Sequence, residues 1–189
     1  MRLVRTFGLA AGLAMVGSMA FAGGASAKPI EHRDFHDEFT ETIENFCDVS
    51  GLTVEQASVV DGRFLLNPHG SDGLAYAHTN ARFTDVFTNQ ANQNTVTTVG
   101  RFVNKDIRVT DNGNGTLTIL FLETGSAAAY GPDGKAIARD PGQERVELVI
   151  DQSGTPTDPS DDEVLQDRLV KQTGRTDDFC AAVVPVLVG

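Results

Sequence analysis

From residue 51 onward, apolar and polar positions alternate in short runs separated by Gly, Asn, Asp and Pro clusters, the punctuation of an antiparallel all-β domain. In Val146-Glu147-Leu148-Val149-Ile150, the residues Val146, Leu148 and Ile150 share one side of an extended segment and Glu147 takes the other, so one face is buried and one is wet. In Leu117 to Leu122 both sides are apolar, which predicts a central or covered strand. Strands are expected at about 52–60, 63–67, 75–88, 95–110, 116–124, 126–131, 136–139, 144–151 and 163–173. The best-defined turn is Asp111-Asn112-Gly113-Asn114-Gly115, whose Asn and Gly tolerate the positive φ of tight hairpins. Tyr130 to Lys135 makes a second turn, and Asp61-Gly62 reads as a third turn or a bulge. Phe35, Phe39, Ile43 and Cys47 are spaced by four, which fits helix and strand alike; Thr40, Thr42 and Ile43 favour a first strand. No helix-length apolar periodicity follows residue 51. Hairpin after hairpin makes a meander, and a meander of about eight strands must close or protect two edges. The expected fold is therefore a small antiparallel β-barrel, with a sandwich as the second choice.

The first 27 residues are different. Arg2 and Arg5 precede an apolar run from Phe7 to Phe21 that ends in the small residues Ala22 to Ala27, the layout of a secretory signal peptide. Cleavage after Ala25-Ser26-Ala27 would start the mature chain at Lys28; cleavage after Ala20-Phe21-Ala22 would start it at Gly23. Residues 28–189 form one expected secreted domain, large enough for a single core. Its 13 basic and 26 acidic residues give a net charge of −13, which repels phosphates and anionic lipid and argues against nucleic-acid or membrane-surface partners. A cationic ligand remains compatible with that charge.

Cys47 and Cys180 are the only cysteines. An even pair in an exported chain predicts a disulfide, and closing so long a loop is worth on the order of 4–5 kcal/mol before strain. The domain ends must then be neighbours, with the apolar tail Val183-Val184-Pro185-Val186-Leu187 packed beside the bond. No later apolar run approaches the ~18 residues a membrane span needs.

Several stretches resemble a family of secreted actinobacterial single-domain β-barrel-like proteins that has no established activity. They are Asp61 to Gly70, Asn104 to Gly113, Tyr130 to Lys135, Thr155 to Glu163 and Asp178-Phe179-Cys180. The resemblance implies export, a bacterial origin and a barrel-like domain; it carries no site residue.

Candidate chemistry is sparse. His32 and His36 are four apart, a spacing that could place two imidazoles on one helical face for zinc, but Arg33 stands where the zincin pattern needs Glu. A solvated N-terminus close to the cleavage site is the favoured reading. His69, Ser71 and Asp72 crowd one turn without a nucleophile elbow, so turn chemistry accounts for them. Tyr76, His78, Asn80 and Arg82 align on one strand face opposite Ala75, Ala77, Ala81 and Phe83. Turned inward, Tyr76, His78 and Arg82 would equip a barrel cyclase or isomerase; turned outward, they are ordinary surface. Burial of Phe83 and Phe87 favours the outward arrangement. Asp158, Asp161, Asp162 and Glu163 concentrate carboxylates that could hold calcium, although they match no EF-hand and a solvated loop suffices. The leading expectation is a secreted binding or structural module for a small apolar ligand. An enzyme and a cell-envelope or adhesion protein are the alternatives.

Overall fold

A computed structural model describes residues 29–69, 73–154 and 162–189. The signal-peptide region thus lies outside the described residues, as do Ser71, Asp72, Asp158 and Asp161. Seven strands pair in chain order in one antiparallel sheet: β1 (Glu31–Ile43), β2 (Val54–His69), β3 (Leu74–Asn89), β4 (Thr95–Asp111), β5 (Thr116–Tyr130), β6 (Ala136–Asp151) and β7 (Glu163–Gly174). One helix, α1 (Phe179–Val188), follows.

The all-β meander is as the alternation predicts, but the sheet does not close into a barrel. Among the described residues, β1 pairs only with β2, and β7 only with β6. The disulfide does not bring the two edges together. Cys47 and Cys180 are bonded, yet neither lies on an edge strand. Cys47 is in the short helical turn Phe46–Asp48 after β1, and Cys180 is in α1. The bond ties the helix to one end of the sheet and leaves both edges where they were.

Three expected strand breaks are absent. Residues 52–60 and 63–67 merge into β2, 116–124 and 126–131 into β5, and 136–139 and 144–151 into β6. Asp61-Gly62 is neither turn nor bulge, for the β1–β2 and β2–β3 ladders run through it in unbroken register. Glycine serves there as a floor. A Cβ on Gly62 would run into the Phe35 ring and lie 2.9 Å from the Ala81 Cβ, and one on Gly125 would lie 2.7 Å from the Arg101 carbonyl oxygen.

The C-terminal tail is a helix, against expectation. Its run Phe179 to Val188 is apolar all round, so it has no amphipathic period to betray it, and Pro185 argues against helix from within. Asp178 caps its start, accepting from the Ala181 N–H at 2.9 Å. At the other end, Asn89 and Asn92 side chains each donate to the Leu187 carbonyl at 2.9 Å, and Asn94 donates to that of Val186 at 3.3 Å. These asparagines, from the end of β3 and the β3–β4 turn, satisfy carbonyls that a helix C-terminus leaves without partners.

Register fixes the two faces. Val54, Phe87, Val96, Ala129 and Ala138 lie on one face, which we call inner, and there α1 inserts Val183 and Leu187, both wholly buried. Phe46, Phe87 and Phe179 meet edge-on or tilted at 5.5–6.3 Å between centroids. Burial of each such side chain stabilises by roughly 1.5–3 kcal/mol. Far from the helix, Val109 and Phe121 are buried on the same inner face.

Candidate ligand-binding face

The sequence-predicted candidates lie mostly outside. Tyr76, His78, Asn80 and Arg82 share the outer face, opposite buried Ala81 and Phe87. Tyr76 is engaged: its hydroxyl oxygen accepts from the Val109 N–H at 3.0 Å, beside the His69 ring. Beyond His78 and Lys105 the β3–β4 ladder stops, and this bond, with the Ala77 N–H donating to Asp106 Oδ2 at 2.7 Å, bridges the splayed strands.

His32 and His36 are on β1, not on a helix or a loose terminus, and both are exposed. His36 bonds Asp61 at 2.7 Å and Glu38 at 3.0 Å, while Arg82 reaches Asp61 at 3.4 Å. Bonding to Asp61 and Glu38 raises the His36 pKa, and the His36 bond lowers that of Asp61. Open hollows of about 230 and 440 Å³ adjoin this cluster around Val59 and Thr84. The cluster is nonetheless a wet surface network, since its His36 side chain is 56% exposed and solvent screens exposed ion pairs. Among the described residues no group of three His, Cys, Asp or Glu could hold a metal ion. Of the calcium candidates, Glu163 opens β7 opposite Asp151, and Asp162 just precedes it.

The inner face was missed. Register aligns Glu31, Asp37, Glu41, Asp85, Asp106, Asp111, Glu123, Asp140, Glu144 and Asp167 on it, with Arg33 as the single cation of the strands on that side. The strand cations Arg63, Arg82, Arg101, Lys105, Arg108, Arg139, Arg145, Arg168 and Lys171 all take the outer face, mixed there with Asp34, Glu38, Glu55, Asp61, Glu147, Asp151 and Glu163. The protein is therefore polarised through the thickness of its sheet.

The inner carboxylates interleave with aromatic rings. Phe35, Phe64, Phe83, Phe102 and Phe121 share this face, and all but Phe121 are half-buried. One row across the strands reads Arg33, Phe64, Thr79, Asn104, Glu123, Glu144, Gln172. Arg33 stacks on Phe64 at 5.6 Å, and Gln172 donates to Glu144 at 2.7 Å. Burial pushes the Asp106 carboxyl up to about 6 against the bond from the Ala77 N–H. It raises Glu123 too, with Glu144 and Asp140 adding repulsion. Asp85, 6% exposed, is raised by burial despite the Ser58 hydroxyl donating to it at 2.7 Å.

A signal for this face does exist in the sequence. Phe83-x-Asp85-x-Phe87 and Phe121-x-Glu123 put an acid two residues from a phenylalanine, and Phe102-x-Asn104-x-Asp106 puts one four residues away, hence on the same strand face. What such a face resembles among known proteins has no answer from comparison: no family model, no curated protein and no solved structure matches the chain.

Proposed function

We propose that this chain is a secreted binding module whose inner sheet face takes a small amphipathic cation. The reading rests on one observation: desolvated carboxylates stand among phenylalanine rings on a face with one strand cation. A carboxylate removed from water without a positive partner raises the free energy of the fold, and an organic cation would relieve that cost while its apolar body covers the rings. Groups perturbed by burial in this way cluster at binding sites. The ligand is thus apolar in bulk, to cover the rings, with a charge that the carboxylates require. Export is supported by the N-terminal pattern of Arg2, Arg5 and the following apolar run, and by the Cys47–Cys180 bond, which belongs to an oxidising compartment.

Benzyltrimethylammonium, with benzyl alcohol and benzoate as neutral and anionic controls, tests the reading. The cation should raise the melting temperature of the mature protein at pH 7.5 in a saturable way, with less effect from either control, because a ligand that binds the folded state alone stabilises it. Asp106→Asn should weaken the shift, and so should lowering the pH to about 5, where Asp106 is largely protonated. Equal shifts from benzyl alcohol and the cation would remove the electrostatic part of the proposal, and no shift from either would remove the site.

A further inference from the structure

The two sheet edges are guarded differently. β1 carries Glu31, Asp34, Asp37, Glu38 and Glu41 along its length, the dense charge by which edge strands discourage pairing. β7 is exposed at all of its positions, and Val164, Leu165, Leu169 and Val170 are 56%, 53%, 47% and 48% exposed. Among the described residues, only β6 pairs with it.

We propose that β7 is a self-association edge, where two copies of this chain pair antiparallel about a two-fold axis through Asp167. Geometry restricts the choice of centre. Antiparallel neighbours related by a two-fold perpendicular to the sheet set inner residues opposite inner and outer opposite outer. Against β6, the β7 register shifts at Leu165 and at Val170, so Val164, Asp167 and Leu169 are inner and Glu163, Gln166, Arg168 and Lys171 are outer.

With Asp167 on the axis, Gln166 meets Arg168 of the second copy, Val164 meets Leu169 and Glu163 meets Lys171, each twice by symmetry. The bulged residues Leu165 and Val170 are the ones skipped, on alternate strands. The interface thus gains two apolar pairs and two ion pairs against one Asp167–Asp167 contact. A centre at Arg168 sets two guanidinium groups together, and a centre at Leu169 sets Arg168 against Lys171. A centre at Gln166 pairs Glu163 with Arg168 but sets Asp167 against Val164 and loses the Val164–Leu169 contacts, so charge and apolar pairing together select Asp167. Pairing there would join the two inner faces into one continuous acidic surface, although the proposal does not depend on what that surface binds.

Sedimentation equilibrium on the mature, disulfide-bonded protein tests this. A reversible monomer–dimer equilibrium is expected. Glu163→Lys or Lys171→Glu alone should weaken the dimer at least tenfold, because each places like charges opposite one another. An equimolar mixture of the two variants should restore it as a heterodimer, and Asp167→Asn should tighten it. Asp167→Cys should form a crosslinked dimer under oxidation, since a residue on the two-fold faces its own copy at a separation a disulfide spans. A protein that stays monomeric to millimolar concentration overturns the proposal. So does a dimer indifferent to the charge variants or one in which Asp167→Cys fails to crosslink, for the interface then lies elsewhere.

Discussion

Asp106 shows how one residue can set the pH response of the fold. Its carboxyl is half-buried and accepts the Ala77 N–H where the β3–β4 ladder ends, and burial raises its pKa from 3.8 to about 6. A raised carboxyl pKa means that the folded state holds its proton more tightly than the unfolded chain. The resulting stabilisation is complete below 3.8 and is lost as pH rises through about 6. Asp85 and Glu123, raised by burial as well, act in the same sense. His36 also loses its contribution as pH rises through its folded value, because Asp61 and Glu38 favour its charged form. Asp34, bonded by Arg63, acts oppositely, but only as pH falls through its lowered value. Urea unfolding should therefore find the ligand-free protein more stable at pH 5 than at pH 8. Asp106→Asn keeps an acceptor for Ala77 and removes the charge; it should raise stability at pH 8 by roughly 1–3 kcal/mol and flatten the pH dependence. A variant no more stable than the parent at pH 8 would refute that account.

Within the elements, glycine and asparagine decide what the strands and the helix can do. β2, β5 and β6 pass through Gly62, Gly125 and Gly142 without breaking, because these positions meet a ring or backbone where a side chain would stand. The obstacles differ in softness. At Gly62 the first obstacle is the far end of the Phe35 side chain on edge strand β1, which can swing away, whereas at Gly125 it is the Arg101 carbonyl of the neighbouring strand. Gly125→Ala is accordingly expected to cost about 2 kcal/mol or more and Gly62→Ala less, as thermal or urea unfolding of the two variants would show. The reverse order would place the strain in the wrong strand. Asn89, Asn92 and Asn94 play the complementary part for α1, replacing the partners that Leu187 and its neighbours lack at the end of the helix.

At the scale of the molecule, one end is consolidated and the other is open. The core around Phe46, Val54, Phe87, Val183 and Leu187 gathers where α1 crosses the sheet, and the Cys47–Cys180 bond fastens the helix there. The bond spans 133 positions, so cutting it frees most of the chain in the unfolded state. Cys47→Ala with Cys180→Ala should lower stability by roughly 2–5 kcal/mol, measured against the oxidised parent. Because α1 is apolar all round, its loss of anchorage should also expose surface to a hydrophobic dye before the sheet unfolds. A pair of variants as stable as the parent would mean that packing alone holds the helix.

The alternation of apolar and polar residues was sufficient for the strand-rich meander, the Asp111–Gly115 turn and the outward placement of Arg82 and His78, because a strand's two-residue period is a local property. The even cysteine pair was likewise enough to predict the bond. Closure was not legible, since whether two edges meet depends on curvature accumulated over seven strands and not on any one of them. Nor was α1, whose uniform apolarity records burial without recording helix. The acidic inner face lay between these cases: the alternation of rings and acids along single strands is visible in the sequence, but only cross-strand register brings Asp106, Glu123 and Glu144 onto one surface and leaves Arg33 as the one strand cation on that side.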